Sequence, residues 1–447
     1  MSIKSIRIEN LFDSFNHEIN FSQESNITMI LGRNGLGKTV ILKIIKAILN
    51  RDIFQLENIE FSKIIIEINN EESWCFIKDL KEDNENIEQN LSLIQLKNGL
   101  EVDRISFSSI EENLKQSRRT LARYIPPAFR PIDGDDWIDR RSDLRFSTTD
   151  IIEKFRNVIP ENVFNDYLIF PQWYSDFTTH LNVSLIETQR LLSFAPESEE
   201  YNYRERGQIA YKNTVEKYSE DLVKQIHAQL AKSSELSTKL DRTYPNRLIK
   251  KLKETTNVSQ EDLNQSLSNL EKKRERLQEV GLLDLQNQPH IDIIDEDQDD
   301  KIIDVLQVYI EDSRQKLDVY DELADRIELF LRIINERFLK KKLTISRTEG
   351  FHFESTKNDK PIPLKSLSSG EQHILVLYYE LLFKIKKGTL LLMDEPEISL
   401  HIAWQKRIIG DLEQILKLNP MQIIIATHSP AVIGSNWHLT TELDAED

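Results

Sequence analysis

The sequence predicts an α/β protein whose sheet is discontinuous in the chain and is interrupted by a long helical insertion. A short apolar run, 26–31, leads into a glycine-rich loop, and apolar residues at helical spacing follow over 40–49. Two later apolar runs, 389–393 and 423–426, have the length and composition of buried parallel strands. Between these two parts, the chain over 205–340 is highly charged and has helical periodicity.

The glycine-rich loop matches the pattern G-x-x-x-x-G-K-S/T in full. Its glycines allow successive backbone N–H groups to face phosphate oxygens, and the N-terminus of the following helix adds positive potential. Lys38 supplies a cation for the β- and γ-phosphates, and the Thr39 hydroxyl is a magnesium ligand. The residues that bind the nucleotide are then Gly32, Arg33, Asn34, Gly35, Leu36, Gly37, Lys38 and Thr39. The strand before the loop and the helix after it favour this interpretation over a glycine turn with a chance lysine.

Length and composition suit a folded core with long exposed helices. The chain has 447 residues, which corresponds to about three domain-sized units. Charged residues make up 30 % and hydrophobic residues 39 %. We expect a head lobe over 1–204 that carries the loop, a helical insertion over 205–340, and a second head lobe over 341–447.

Cysteine content and net charge limit the cellular compartments and binding partners that we expect for the protein. The single cysteine, Cys75, excludes an internal disulfide bond and favours a reducing compartment. The first four residues lack the basic-then-apolar order of a signal peptide, and no run approaches the roughly 20 apolar residues that span a bilayer. These features predict a cytoplasmic protein with no membrane partner. The net charge of −17 disfavours broad nucleic-acid binding, although it allows a local basic groove.

The first lobe is predicted to begin with strands. Residues 3–9, 15–21 and 27–31 have the composition of three short strands that lead to the glycine-rich loop. Residues 62–78 predict a strand pair with a turn near its middle. The polar, acidic stretch 80–93 is expected to be a loop or a poorly ordered excursion.

Basic and aromatic residues alternate over 115–146, and two interpretations are open. The residues are Arg118, Arg119, Arg123, Arg130, Arg140, Arg141 and Arg145, interleaved with Tyr124, Phe129, Trp137 and Phe146. Such a mixture can form a nucleic-acid or partner surface. Alternatively, the arginines form salt bridges with the acids of the same stretch, Asp133, Asp135, Asp136, Asp139 and Asp143. We favour salt bridges because the acids nearly cancel the local charge.

The helical insertion carries apolar residues at coiled-coil spacing. Ser259 is predicted to cap a helix whose seam is Leu263, Leu267, Leu270, Leu277 and Gly281, with Arg274 at the remaining position. A later seam alternates by three and four residues through Ile303, Leu306, Ile310, Ser313, Leu317, Tyr320, Ala324, Ile327, Leu331, Ile334 and Phe338. This seam predicts one helix of about 54 Å. Its partner is a helix over 208–241, a helix over 259–281, or another subunit; the alternative is a surface helix on a globular domain.

Chemistry-bearing residues recur after the insertion. A Ser-x-Gly turn formed by Ser368, Ser369 and Gly370 precedes a helix over 373–384, and serves either as a second anion site or as a plain helix cap. The strand over 389–393 ends at Asp394 and Glu395, which are placed to hold magnesium through water and to activate the attacking water.

The last predicted strand ends at a histidine. A helix over 402–417 separates it from Asp394, and the strand over 423–426 leads to His428. A histidine in this position is either a structural residue or a contact to the γ-phosphate, and its place beside the two acids favours the phosphate. The histidines outside these motifs have no metal-ligand spacing with one another or with Cys75.

The ordered motifs resemble the ABC-type ATPase superfamily, in the branch that contains SMC, Rad50, RecF and the OLD-like ATPases. In this resemblance 32–39 is the Walker A motif, 367–372 the signature with Ser369 in place of a glycine, 390–395 the Walker B motif, 399–401 the D-loop and His428 the switch histidine. Gln172, in the run Phe170-Pro171-Gln172-Trp173, is the candidate Q-loop residue. The resemblance implies a P-loop NTPase head of ABC type with a coiled-coil insertion, which binds ATP and Mg2+.

The same resemblance implies a dimer of heads. Lys38 and Thr39 of one head, with Ser368 and Gly370 of the other, would enclose ATP and Mg2+, and hydrolysis by Glu395 would loosen the pair. The string DEPEISLHIAWQ over 394–405 resembles stand-alone prokaryotic defence ATPases. The size of the chain, its short coiled-coil insertion and the expected lack of an appended nuclease domain resemble most of all the ATPase subunits of PARIS anti-phage systems, the AriA family, and next the ATPase subunits of Septu systems. Such a subunit forms a higher homo-oligomer, restrains a toprim-type effector nuclease and responds to a phage-encoded trigger protein.

Two other functions compete with a defence sensor. A DNA-binding repair or chromosome-maintenance ATPase of SMC or RecF type predicts ATPase activity that DNA stimulates, and the acidic net charge disfavours it. An ATP-dependent nuclease of OLD type needs a second acidic metal cluster, and we expect no room for one after His428.

Overall fold

The computed structural model describes residues 3–21, 25–69, 71–83, 86–107, 121–132, 136–140, 143–155, 159, 170–187, 192–194, 211–253, 259–284 and 300–443. These residues form two compact units, each assembled from separate parts of the chain. The first unit comprises Met1–Thr188, Lys386–Glu397 and Met421–Asp447. The second comprises Gln189–Ile385 and Ile398–Pro420.

The strands in chain order are β1 (Ser5–Leu11), β2 (Phe15–Asn20), β3 (Ile27–Leu31), β4 (Lys63–Glu67), β5 (Glu72–Asp83), β6 (Asn86–Lys97), β7 (Leu100–Phe107), β8 (Phe129–Pro131), β9 (Asp136–Asp139), β10 (Leu144–Ser147), β11 (Val183–Ile186), β12 (Leu192–Phe194), β13 (Tyr211–Asn213), β14 (Lys341–Ser346), β15 (Gly350–Ser355), β16 (Pro361–Ile362), β17 (Leu390–Asp394), β18 (Gln422–Thr427) and β19 (Thr440–Glu442).

The α-helices are α1 (Lys38–Leu49), α2 (Ile53–Glu57), α3 (Thr148–Phe155), α4 (Gln172–Thr179), α5 (Thr214–Lys251), α6 (Gln260–Glu279), α7 (Asp300–Asp318), α8 (Asp321–Asn335), α9 (Ser369–Tyr379), α10 (Ile402–Gln405), α11 (Ile408–Leu418) and α12 (Pro430–Ile433). A π-helix, Glu380–Lys384, continues α9, and two short 3-10 helices span Leu364–Ser366 and Trp437–Leu439.

The first unit contains two large sheets that share one core. A parallel sheet has the strand order β11-β17-β18-β3-β19, and an antiparallel sheet has the order β2-β1-β4-β5-β6-β7. Helix α1 belongs to the core of both, because Ile44 and Ile45 cluster with Ile6 of β1 and with Leu392 of β17. The predicted α/β fold with a discontinuous sheet is confirmed.

The acidic stretch 80–93, predicted as a loop, continues a hairpin instead. Strands β5 and β6 pair from Glu72 with Lys97 out to Asp83 with Asn86. The prediction was wrong because ladder hydrogen bonds join backbone groups, so polar side chains do not prevent a hairpin from extending. Leu91 and Leu93 of the returning strand are buried.

The basic and aromatic segment over 115–146 lies only in part within the described residues. Arg118, Arg119, Arg141, Asp133 and Asp135 lie outside them. Trp137 and Phe129 are in the core, and the Trp137 indole donates to the Thr148 hydroxyl at 3.0 Å. These two rings are therefore unavailable to stack on bases, and the salt-bridge alternative stays a prediction.

In the second unit, the later seam is not one helix. Helix α7 ends at Asp318 and α8 begins at Asp321, because the Tyr320 N–H bonds to the Leu317 carbonyl, a spacing of three residues. The apolar seam continues across the break, where Leu317 and Tyr320 are both buried. The prediction of a single 54 Å helix was wrong. The spacing of apolar side chains stays the same where the backbone hydrogen-bond pattern changes, so the sequence pattern does not indicate the break.

The partners of the seam lie within the same chain. Leu263 and Leu267 of α6 pack against Ile310 of α7, and Arg274 donates to the Tyr309 hydroxyl at 3.0 Å. On another side of α7, Arg247 of α5 binds Asp312, with Nη2 2.7 Å from Oδ2. The helix over 402–417 is likewise interrupted, into α10 and α11.

Candidate nucleotide site

The glycine-rich loop has the backbone that its sequence predicts. Gly35 and Gly37 have φ angles of 95° and 83°, in the left-handed region that side chains disfavour. A Cβ atom on Gly37 would lie 2.8 Å from Cδ2 of Leu11, so this position excludes a side chain on steric grounds as well. Gly37 is the N-cap of α1, whose first backbone N–H groups adjoin the loop. The loop thus has the geometry of an anion site at a helix N-terminus.

The Lys38 side chain turns back into the loop. Its ammonium donates to the carbonyls of Gly32 at 2.7 Å and of Arg33 at 3.0 Å, and the residue is 5 % exposed. The positive charge of Lys38 therefore lies inside the curved loop, at the position where a bound phosphate would contact it. On the opposite side, the buried His17 ring has Nε2 2.9 Å from the Leu36 carbonyl. His17 supports the loop, a role that only the fold reveals.

Thr39, in the first turn of α1, contacts Asp394 at the end of β17. Thr39 Oγ1 donates to the Asp394 carboxylate, with distances of 2.9 Å and 3.0 Å to Oδ1 and Oδ2. Asp394 is the last residue of the buried strand β17 and is 6 % exposed. A hydroxyl beside a carboxylate is an oxygen donor set of the kind that Mg2+ prefers, so these two residues fit that cation.

Glu395 and His428 form the second contact of the site. The Glu395 N–H bonds to the Ala426 carbonyl at 2.9 Å, and the residue has a φ of 43°, so the chain turns sharply as it leaves β17. His428 follows β18, and its Nδ1 lies 3.2 Å from Oε1 of Glu395. Parallel neighbours end at the same sheet edge, which is why residues 33 positions apart meet here.

A buried acid that the sequence did not single out completes the site. Glu397 is 3 % exposed, and its Oε1 accepts from the Thr427 hydroxyl at 2.5 Å and from the His428 N–H at 3.2 Å. Its sole signal in the sequence is a place two residues beyond Glu395. Burial, which a sequence does not reveal, distinguishes it from a surface acid.

The signature residues lie in the second unit. Ser368 is the N-cap of α9 and forms a capping box with Glu371, and Ser369 and Gly370 are the first two helical residues. Lys341 donates to both Glu371 oxygens, at 2.8 Å and 2.7 Å. A Cβ on Gly370 would lie 2.8 Å from the Ser399 carbonyl oxygen in the D-loop. The turn is thus a helix cap in geometry, and it also presents a helix N-terminus.

The candidate Q-loop residue lies at the other end of α1. Gln172 begins α4 and is exposed. Tyr174 of the same helix donates its hydroxyl to the Ile48 carbonyl, near the end of α1. Since α1 has 12 residues and is about 18 Å long, this contact is remote from Thr39. The described contacts do not bring Gln172 to the loop.

The sequence model of the AAA ATPase domain matches residues 1–433. The chain belongs to the AAA ATPase domain family. As a member of this family, the protein is a nucleotide-binding ATPase, and the loop over 32–39 described above is its P-loop. No curated protein matches the sequence.

Solved structures that resemble this AAA ATPase-domain protein include SMC head domains. One is the Pyrococcus furiosus Smc head with an extended coiled coil bound to the C-terminal domain of ScpA, at 14 % identity and a TM-score of 0.30, covering 96 % of this chain and 90 % of the other. Another is the Thermotoga maritima SMC head domain, at 13 % identity and a TM-score of 0.32, covering 97 % and 91 %. Similarity at this level does not bear on function.

Two kinds of feature are absent from the described residues. No helix there is long and apolar enough to cross a membrane. Within the same residues, no group of three or more His, Cys, Asp and Glu side chains is placed to hold a metal ion.

Proposed function

We propose that this AAA ATPase-domain protein is a magnesium-dependent ATPase of the ABC type, in the branch that contains SMC and Rad50. The observation that carries the proposal is the contact of Thr39 with Asp394, because it joins the loop helix to the end of β17 at one oxygen-rich point. Mg2+ held there would neutralise charge on the β- and γ-phosphates. Lys38 adds a second positive charge inside the loop.

The two side chains beyond Asp394 have distinct proposed roles. Glu395 accepts the proton of the attacking water, which requires an ionised, partly accessible carboxylate, and its side chain is 20 % exposed. His428 lies against Glu395 and is 43 % exposed, so its ring can reach the γ-phosphate while it orients the acid.

Phosphate release tests this assignment directly. Glu395→Gln is expected to lower turnover by about 100-fold or more, since general base catalysis contributes on that order, and to leave ATP bound. Asp394→Asn is expected to lower turnover and to raise the magnesium concentration required. The matched control is Glu413→Gln, which changes one exposed acid on α11. Near-normal turnover of Glu395→Gln excludes Glu395 as the base.

We further propose that two copies close over shared nucleotides. Ser368, Ser369 and Gly370 begin a helix of 11 residues and present its N-terminal N–H groups and a hydroxyl. In the proposed dimer they contact the triphosphate bound by Lys38 and Thr39 of the other copy. The native mass of Glu395→Gln with and without ATP tests this step: ATP should double the mass or produce a larger oligomer, and Ser368→Arg should prevent it.

The proposed biological role is that of a sensor and scaffold in anti-phage defence. It rests on the resemblance of 394–405 to prokaryotic defence ATPases, on the overall resemblance of a chain of this size with a short coiled-coil insertion to PARIS and Septu ATPase subunits, and on the net charge of −17. In this role ATP-dependent oligomers restrain an effector nuclease of toprim type until a phage-encoded trigger protein binds. Co-expression with the product of a neighbouring nuclease gene should yield a complex. Strong stimulation of ATPase activity by DNA, lost steeply with salt, would instead favour an SMC- or RecF-like repair ATPase.

A further inference from the structure

Glu397 occupies a place where an ionised carboxylate is costly unless it is well paired. It is 3 % exposed and lies where β17 and β18 end side by side. Its Oε1 receives the Thr427 hydroxyl at 2.5 Å and the backbone N–H of His428 at 3.2 Å. Burial of an ionised acid is unfavourable without such donors. These donors join the acid to the histidine that faces Glu395.

The ring of His428 meets two carboxylates on the same nitrogen. Nδ1 lies 3.2 Å from Oε1 of Glu395 and 3.5 Å from Oε1 of Glu397. An ionised carboxylate only accepts hydrogen bonds, so either contact requires a hydrogen on Nδ1. These contacts therefore fix the tautomer of the neutral ring: Nδ1 carries the hydrogen, and Nε2 is an acceptor.

We propose that Glu397 is a positioning residue for ATP hydrolysis: it anchors His428 and offers the Nδ1–H an acceptor other than Glu395. This inference rests on the proposed role of Glu395 as the base. A carboxylate that accepts a hydrogen bond from the histidine is a poorer acceptor for the proton of water. When the Nδ1–H turns to Glu397, the Glu395 carboxylate is released for that proton, and no bond of the protein is made or broken.

A purely structural role predicts different results. Glu397 also ties β18 to the segment after β17 through Thr427, so its loss will lower stability whatever its part in hydrolysis. Thr427→Val removes the hydroxyl that donates to Oε1 and leaves both carboxylates and the His428 ring in place. It is therefore the matched control for the structural contact.

The kinetic test compares Glu397→Gln with Thr427→Val. We expect Glu397→Gln to lower kcat at least tenfold with little change in KM for ATP, and Thr427→Val, which weakens the anchoring of Glu397 but keeps its carboxylate, to lower kcat by a clearly smaller factor. Equal kcat values for Glu397→Gln and the wild type overturn the proposal, as does an equal loss in both variants. If the wild type itself does not hydrolyse ATP, the proposed function fails, and the next measurement still judges the positioning role.

Nitrogen NMR of the His428 ring in the nucleotide-free protein supplies that measurement. The wild type should show the tautomer with hydrogen on Nδ1, and Glu397→Gln should change the Nδ1 chemical shift, because one acceptor is weakened, while Glu395 keeps the same tautomer. His428→Gln identifies the resonance. A ring with hydrogen on Nε2 in the wild type overturns the proposal, and this result requires only the wild type and the folded variant that identifies the resonance.

Discussion

The Thr39 hydroxyl lies 2.9 Å and 3.0 Å from the two carboxylate oxygens of Asp394, although 355 positions of sequence separate the residues. The contact closes the site, because it joins the first turn of α1 to the end of β17. Both side chains offer oxygen and nothing else, so in the proposed site they would hold the cation.

Removal of the Thr39 hydroxyl should affect hydrolysis more than stability. Thr39→Ala is expected to lower kcat/KM for MgATP by about 100-fold, because a metal ligand at a phosphoryl group contributes several kcal/mol to transition-state stabilisation. Thr39→Ser keeps the hydroxyl and should stay within about tenfold of the wild type. Phosphate release over a magnesium titration measures both. An alanine variant as active as the serine variant would contradict the proposed cation site.

Alanine at Gly37 should be more damaging than alanine at Gly35. Both positions have positive φ, so each variant should lose about 1–2 kcal/mol of unfolding free energy. Gly37→Ala also forces its Cβ to 2.8 Å from Leu11 and should lose about 1–3 kcal/mol more, whereas a Cβ on Gly35 meets no described atom within 4 Å. Denaturant unfolding without ATP measures the difference, and equal losses would show that Leu11 moves aside.

Glu371 should make stability depend on pH in the acid range. Burial raises the pKa of Glu371, but hydrogen bonds from Lys341 and from Ser368 outweigh burial and hold the pKa below its ordinary value of 4.5. A carboxyl whose pKa is lower in the folded state stabilises the protein above its unfolded pKa, and this contribution disappears as the pH falls through the folded value.

The wild type is therefore expected to lose stability below about pH 4.5. Glu371→Gln should be less stable than the wild type at pH 7 and should lose less on acidification. Thermal unfolding between pH 3 and pH 7 measures this, with Glu413→Gln as the control for the loss of one exposed acid. If the stability of wild type and of Glu371→Gln falls equally with pH, Glu371 does not cause the loss of stability in acid.

Two glycines of the second unit should respond to alanine in opposite directions. Gly281 has a φ of 78°, and a Cβ there would lie 2.1 Å from the Ile345 carbonyl oxygen, so Gly281→Ala should lose more than about 2 kcal/mol. Gly410 is helical and a Cβ on it meets no described atom within 4 Å, so Gly410→Ala should gain about 0.5–1 kcal/mol. Urea unfolding compares the two; a stable Gly281→Ala would mean that the chain around Ile345 yields.

Features that depend on local pattern were predictable from the sequence. The loop over 32–39, strand β17 and strand β18 each carry a motif or an apolar run whose meaning does not depend on distant residues. The meeting of Thr39, Asp394, Glu395 and His428 then follows from parallel strands that end at one sheet edge.

Features that depend on backbone pairing or burial were not predictable. The hairpin over 80–93 is held by bonds between backbone groups, and the break at Tyr320 preserves the apolar spacing on both sides. Glu397 resembles a surface acid in sequence, although it is buried. In each case tertiary contacts decide the outcome.

The order of strands in the parallel sheet has a consequence for synthesis of the protein. Both sheet neighbours of β3, namely β18 and β19, come from the far end of the chain. A ribosome therefore releases the phosphate loop long before the strands that must flank it exist, and β3 has no partner in this sheet while most of the polypeptide is being translated. Messages that are cut short upstream of β17 should yield products that chaperones retain and that hydrolyse no ATP, so the fold itself restricts activity to chains translated beyond β19.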